Sequence, residues 1–160
     1  MEENLEEFLH HLRLSRGLSQ NTLESYRFDL QKYFEYLKQH KISSLNSVTS
    51  EKISGFIYSL REKGLKSTSI RRHLSAIRTF HKYLLNEDYS DSNPAETIDS
   101  PKLGKRLPGT LTPDEMKKIL EQPFAENDLG LRDRAILEFL YATGVRISEM
   151  INFKKESFLP

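Results

Sequence analysis

The residues in this 160-residue chain whose types and order most directly suggest chemistry lie in YATGVRISE, Tyr141 to Glu149. Arg146 follows Gly144 at the junction between two apolar segments: Ala135, Ile136, Phe139 and Leu140 recur at helical spacing, and Ile147, Met150 and Ile151 resume the pattern. Gly144 supplies the permissive backbone that a helix end commonly needs, so the spacing predicts Arg146 in the first turn of a new helix. Free backbone N–H groups and the helix dipole favour an anion there, and a planar guanidinium can grip two phosphate oxygens at once. Taken alone, the spacing is more commonly that of a surface arginine paired with Glu149 three residues on.

The elements that must position such a group read as helices. Four are expected at about 3–15, 20–39, 50–63 and 67–87, with Ser19 capping the second, Thr49 or Ser50 the third and Ser67 the fourth, and with Gly17 and Gly64 where helices should break. No stretch alternates with a period of two, so strands are not expected. A segment from about 86 to 109, punctuated by Pro94, Pro101, Pro108, Gly104 and Gly109, reads as a linker. Three shorter helices follow at about 112–121, 131–142 and 145–153, with Thr112 as cap and Pro113 at the first helical position of the first. The expected fold is therefore all-α, with a four-helix domain at 1–88, a linker at 89–110 and a smaller helical unit at 111–160. That last unit must bury Leu111, Ile119, Leu120, Ile136, Leu137, Phe139, Leu140 and Ile151. So few residues make a marginal core, which predicts an exposed apolar patch on 131–153.

The fourth helix carries two stripes. Ile70, Leu74, Ile77, His81 and Leu84 repeat at spacings of three and four, as a buried face does. Arg71, Ser75, Arg78 and Lys82 form a second stripe about a quarter turn away, and Thr68 extends it toward the helix start. Every member can donate to a phosphate or a base edge. The second helix offers Thr22, Tyr26 and Arg27 for the same surface, with Tyr26 equally suited to the core. Arg71 or Arg72 is expected on a base, whereas Lys66, Arg78 and Lys82 are expected mainly on phosphates. A solvated basic face is the competing description.

Net charge is only +1, so attraction to nucleic acid has to come from distribution. From Lys63 to Lys82 there are six basic residues and no acidic one, while acidic residues crowd the first helix and the segment from Glu87 to Asp99. No run approaches a membrane span. The first ten residues carry four glutamates and neither Lys nor Arg, the reverse of a secretory or mitochondrial leader. With no cysteine there is no disulfide framework or thiolate metal site, and a cytoplasmic home is expected. The adjacent His10 and His11 are too crowded for a metal site, and no metal or cofactor is expected.

Five stretches together resemble the tyrosine site-specific recombinases, and within them the Xer group that resolves chromosome dimers. They are GLSQNTLESYRFDLQKYFEYL at 17–37, GLKSTSIRRHLSAIRTFHKYLL at 64–85, SNPAETIDSPKLGKRLP at 92–108, LTPDEMKKIL at 111–120 and GLRDRAILEFLYATGVRISEM at 130–150, in the family's order. The resemblance implies a SAM-like core-binding domain at 1–88 that places its second and fourth helices against the major groove of duplex DNA, followed by the first part of a catalytic domain. It implies that Arg146 binds the scissile phosphate and that Glu149 supports it. It also implies that Lys102, Lys105 and Arg106 follow the DNA backbone as the chain crosses the duplex, and that the complete enzyme exchanges strands within a tetramer. No small-molecule substrate or membrane is implied.

In the family a β-hairpin lysine, an HxxR pair, a further His or Trp and the nucleophilic tyrosine come after the position of Arg146. The HxxR at His10 and Arg13 lies in an acidic amphipathic segment and reads as a solvated helix face. None of the seven tyrosines follows Arg146, and Tyr141 reads as packing within its apolar helix. Transesterification needs a nucleophile, proton transfer and several charges on the transition state. The chain is therefore expected to bind DNA without cleaving it, unless the other groups come from elsewhere. A second reading is a helical adaptor that associates with a recombinase partner without binding DNA.

Overall fold

The computed structural model describes residues 1–102, 109–122 and 124–154. Among these the chain forms α1 (Glu2–Arg16), α2 (Gln20–Gln39), a 3-10 turn (Leu45–Ser47), α3 (Ser50–Glu62), α4 (Ser67–Asn86), α5 (Pro113–Leu120), α6 (Asp128–Thr143) and α7 (Ile147–Ile151), with no strand. It divides into two compact units, Met1–Lys105 and Arg106–Pro160.

The first four helices start and stop where local chemistry dictates. Gly17 ends α1 in the left-handed region at φ 56, a conformation that costs a residue with a Cβ. Ser19 then opens α2 by accepting from the Thr22 N–H, and Thr49, rather than Ser50, caps α3 by accepting from the Lys52 N–H. The expected cap at Ser67 is not formed. Ser67 is already the first helical residue, Lys66 occupies the cap position, and α4 begins without a side-chain cap.

Burial rather than capping holds α4. Phe80, with 0% of its surface exposed, lies at the centre of the first unit. Its ring meets Phe8 of α1 edge-on at 5.3 Å and Phe34 of α2 at 5.4 Å. Such edge-to-face pairs add to the apolar burial. All five members of the expected apolar stripe, Ile70, Leu74, Ile77, His81 and Leu84, are buried. His81 is accommodated by a hydrogen bond between its Nε2 and the Tyr33 hydroxyl at 3.1 Å. Gly55 lets α3 lie close against α2, since a Cβ there would come within 2.6 Å of the Tyr36 hydroxyl oxygen.

The segment expected to be a linker is, in its first part, docked on this unit. Ala95 is fully buried and Ile98 packs against the core. Asn93 Oδ1 accepts from the Ala95 N–H at 3.0 Å, and the Ser50 hydroxyl donates to the Pro94 carbonyl at 2.8 Å. Arg78 Nε and Nη2 donate to the carbonyls of Ala95 and Ile98 at 3.2 and 2.6 Å. Proline and glycine content marks irregular backbone but does not reveal whether that backbone is tied down.

In the second unit, Thr112 and Glu115 form a reciprocal capping box at the start of α5, with Pro113 in the first turn. Asn127 caps α6 by accepting from the Gly130 N–H, so this helix begins about three residues earlier than expected. Gly144 closes it in the left-handed region at φ 66. No large apolar side chain is fully buried among the described residues here. Ile119, Leu120, Ile136, Leu137, Phe139 and Leu140 reach only intermediate burial, and Leu111 and Ile151 are exposed. Tyr141, expected to pack, is 59% exposed. Apolar residues occur on more than one side of α6, and this small unit has too little mass to cover them all. No helix among the described residues is long and apolar enough to cross a membrane.

Candidate nucleic-acid interface

Helix α4 buries Ile70, Leu74, Ile77, His81 and Leu84. That fixes its rotation and sends Thr68, Arg71, Arg72, Ser75 and Lys82 to the exposed side, with Lys66 at its start. Lys66, Arg71 and Lys82 make no ion pair among the described residues, so their charges face solvent uncompensated by a bound carboxylate.

Helix α2 packs alongside, and the two helices enclose a cleft of about 350 Å³ lined by Asn21, Thr22, Ser25, Tyr26, Asp29, Arg72, Ser75 and Ala76. Thr22 of α2 is thus brought together with Arg72 and Ser75 of α4. Tyr26 divides its surface between this cleft and the core, where its ring meets Phe8 edge-on at 5.8 Å. Four hydroxyls, an amide and a guanidinium around one opening form a mixed set of donors and acceptors, as suits base edges and backbone phosphates.

Arg27 is placed elsewhere. Both of its terminal nitrogens donate to the Glu6 carboxylate of α1, a fork-to-fork pair. The guanidinium holds the Glu6 carboxyl below the usual carboxylate range. Arg27 lines a separate depression between α1 and α2, together with Glu6, His10, Arg13 and Gln20. The residue adjacent to Tyr26 on a helix points about 100° away from it, and the sequence does not show that Glu6 waits there. His10 and Arg13 are exposed on α1, and Arg13 donates to Gln20 Oε1 at 2.6 Å.

Arg78 lies in the basic stripe but is only partly exposed, with two of its nitrogens donating to the Ala95 and Ile98 carbonyls. Lys102 is exposed, whereas Lys105 and Arg106 lie outside the described residues.

The cleft contains one group to which the sequence pattern assigns no role. Asp29 is 1% exposed, and its Oδ1 stands 2.9 Å from Arg72 Nη2 and 3.3 Å from His73 Nδ1. Burial pushes its pKa up to about 6, while Arg72 and then Lys32 pull it back. His73, equally buried, is held down to about 4, chiefly by burial. The available signal was register, for Asp29 lies four residues before Tyr33 on the buried side of α2. A charge there requires a partner.

In the second unit, Arg146 immediately precedes α7 in extended backbone, φ −74 and ψ 151, rather than in its first turn. Glu149 reaches back and accepts from the Arg146 backbone N–H through Oε2 and from its guanidinium Nη1 through Oε1, both at 2.9 Å. Those two bonds lower the Glu149 pKa. The guanidinium is nonetheless 81% exposed, so the carboxylate orients it without covering it.

Comparison with known proteins places this architecture. Residues 5–88 match the phage integrase N-terminal SAM-like domain, and residues 109–158 match the phage integrase family. The chain is 46% identical over 149 residues to tyrosine recombinase XerD of Halalkalibacterium halodurans, covering 92% of this chain and 50% of that protein. It is 41% identical over 153 residues to tyrosine recombinase XerD of Oceanobacillus iheyensis, covering 95% and 51%. The chain thus spans about half the length of these relatives. Among solved structures, a lambda integrase dimer bound to a COC' core site has a TM-score of 0.76 at 21% identity, covering 100% of this chain and 43% of that one. The N-terminal domain of a phage integrase/site-specific recombinase from Haloarcula marismortui has a TM-score of 0.57 at 17% identity, covering 62% and 94%. At these identities the structural likeness establishes the fold, an all-helical SAM-like integrase domain in the first unit. Capped helices, cleft and ordered motifs agree with the sequence matches: the chain belongs to the phage integrase family of tyrosine recombinases.

Proposed function

We propose that this chain is the duplex-DNA-binding N-terminal part of a Xer-like tyrosine recombinase that acts in site-specific recombination, in the cytoplasm, at chromosome-dimer or mobile-element junctions. The α2–α4 cleft carries this reading, because it joins Thr22, Arg72 and Ser75 around one opening. Exposed Lys66, Arg71 and Lys82 lie on or at the start of the same helix, α4. In this role the lysines meet phosphates and set the approach, whereas Arg71 or Arg72, with Ser75 and Thr22, meets base edges. Lys102, Lys105 and Arg106 continue along the backbone. The closed tetramer and the strand-exchange chemistry belong to the complete enzyme.

In the second unit, Arg146 binds the scissile phosphate and Glu149 fixes its orientation. An arginine held by a carboxylate at one edge keeps donors at the others for phosphate oxygens. Strand cleavage needs a nucleophile and proton transfer beyond this pair, and no tyrosine follows Arg146 within these 160 residues.

Fluorescence anisotropy with a labelled duplex over a salt series tests the reading. Binding that weakens linearly on a log–log plot is expected, with a slope of about −0.9 per phosphate neutralised. Absence of binding at low salt would overturn it in favour of a helical adaptor that docks on a recombinase partner.

A further inference from the structure

We propose that Asp29 is a positioning residue for sequence readout: from inside the cleft it clamps Arg72, so that one arginine of α4 meets DNA as a fixed reader while Arg71 remains a mobile phosphate contact. This rests on the DNA-binding function proposed for the same face.

The two neighbouring arginines are exposed but differently held. Arg71 has no ion pair among the described residues, whereas Arg72 Nη2 lies 2.9 Å from the Asp29 Oδ1. Arg72 is 49% exposed and Asp29 only 1% exposed, so the carboxylate grips the guanidinium from below and leaves its outer part in solvent. The contact is a charge pair without the direction of a hydrogen bond, and Asp29 Oδ1 receives no well-directed donor. Little of the donor capacity of Arg72 is therefore used in holding it. Thr22 and Ser75 flank the same opening and limit where a ligand group can sit.

An unrestrained arginine adapts to any phosphate, and its contacts carry no sequence information. A guanidinium kept in place by a buried carboxylate presents its planar fork to the two acceptors of a guanine edge and loses less side-chain entropy in doing so than a free one. A supporting carboxylate of this kind fixes a reading residue within the tolerance that recognition needs. Burying a carboxylate is costly without a partner, and Arg72 supplies compensation. An apolar residue at position 29 would seal the core at less cost, but it would leave Arg72 free.

The test uses the full chain. A randomised duplex library is enriched on the wild-type protein, and the enriched duplex and a scrambled version are then compared by anisotropy for wild type, D29N, R72A, R72K and D29N/R72A. D29N is expected to lower the preference for the enriched duplex about tenfold, the discrimination that a single bidentate base pairing supplies. Affinity for the scrambled duplex should hold or rise, because a negative charge has gone. General loosening of the fold would lower both affinities together. In the R72A background, D29N should not change the preference further. R72K keeps the charge but not the planar fork, so it should also lose the preference, and it serves if D29N fails to fold. A D29N protein that keeps the preference, an effect of D29N that persists without Arg72, or an R72K protein that discriminates as well as wild type would overturn the proposal while leaving DNA binding intact. Salt-sensitive binding with no enriched sequence would overturn it as well. A wild-type chain that binds no duplex would remove the DNA-binding reading itself, and this inference with it.

Discussion

Arg78 Nη2 donates to the Ile98 carbonyl at 2.6 Å, so the helix that carries the basic face also fastens the backbone leaving the first unit. With the Nε bond to Ala95, the guanidinium closes a loop of about twenty residues. Hydrogen bonds from a charged donor contribute about 1.5–3 kcal/mol each, less where water can substitute. R78A is expected to lower stability by about 2 kcal/mol and to speed amide exchange selectively around residues 95–98. R78K should rescue only part of that protection, because one ammonium cannot reproduce the fork. Exchange at 95–98 unchanged from wild type would show that Pro94 and buried Ala95 hold the segment unaided.

Arg71 and Lys82 separate the electrostatic part of binding from the structural part. Neither makes an ion pair among the described residues, and both are exposed on α4. Their removal should therefore leave the fold in place, with stability changed by no more than about 0.5 kcal/mol. R71A/K82A is expected to weaken binding to enriched and scrambled duplexes alike and to reduce the salt slope by about one for each phosphate that is no longer neutralised. A slope equal to that of wild type would move the phosphate contacts to another face.

Much of the first unit was legible because its helices satisfy several rules at once. Period and cap agree for α2, whose expected range of 20–39 matches Gln20–Gln39. The basic stripe of α4 was equally legible, since burial of Ile70, Leu74 and Ile77 determines which residues remain outside. What sequence spacing does not show is which distant residue arrives beside a given side chain. Glu6 lies twenty-one positions before Arg27, Ala95 seventeen after Arg78, and Asp29 reaches Arg72 across two helices. Each of these pairings gives the arginine a partner that its position alone does not reveal. Arg146 differs for a local reason: Glu149 folds back onto its backbone N–H and shifts the helix start one residue beyond it.

His81 makes the first unit acid-sensitive in a defined direction. It is 0% exposed, and burial holds its pKa down to about 4 from an ordinary 6.5. The unfolded chain therefore takes up a proton near 6.5 that the folded chain refuses until about 4. Between those values the unfolded state binds more protons, so stability is complete above the window and falls as pH drops through it. The displacement corresponds to about 3 kcal/mol. Asp29, raised to about 6, acts in the opposite sense over part of that window, and His73, held at about 4, acts with His81. The informative quantity is therefore the difference between wild type and H81Q, in which an amide replaces the imidazole opposite the Tyr33 hydroxyl. Urea unfolding from about pH 7 to about pH 4 should show wild type losing more stability than H81Q, by up to about 3 kcal/mol. Parallel curves for the two proteins would mean that His81 takes up its proton as readily in the folded state as in the unfolded chain.

The second unit presents apolar side chains that its own mass does not cover. Leu131 is 68% exposed on α6, and Ile147 and Ile151 are 62% and 71% exposed on α7. The two isoleucines are four residues apart and share a face. Apolar groups already in water contribute little to stability, so polar replacements there should be nearly neutral, whereas the same changes in the core would cost several kcal/mol. The full chain is expected to enhance the fluorescence of a hydrophobic dye under native conditions, and L131Q/I147Q/I151Q should lose more than about half of that enhancement, with each melting transition moved by less than about 2 °C. If the triple variant instead melts well below wild type with dye binding unchanged, these side chains are packed in solution and the exposed apolar surface lies elsewhere.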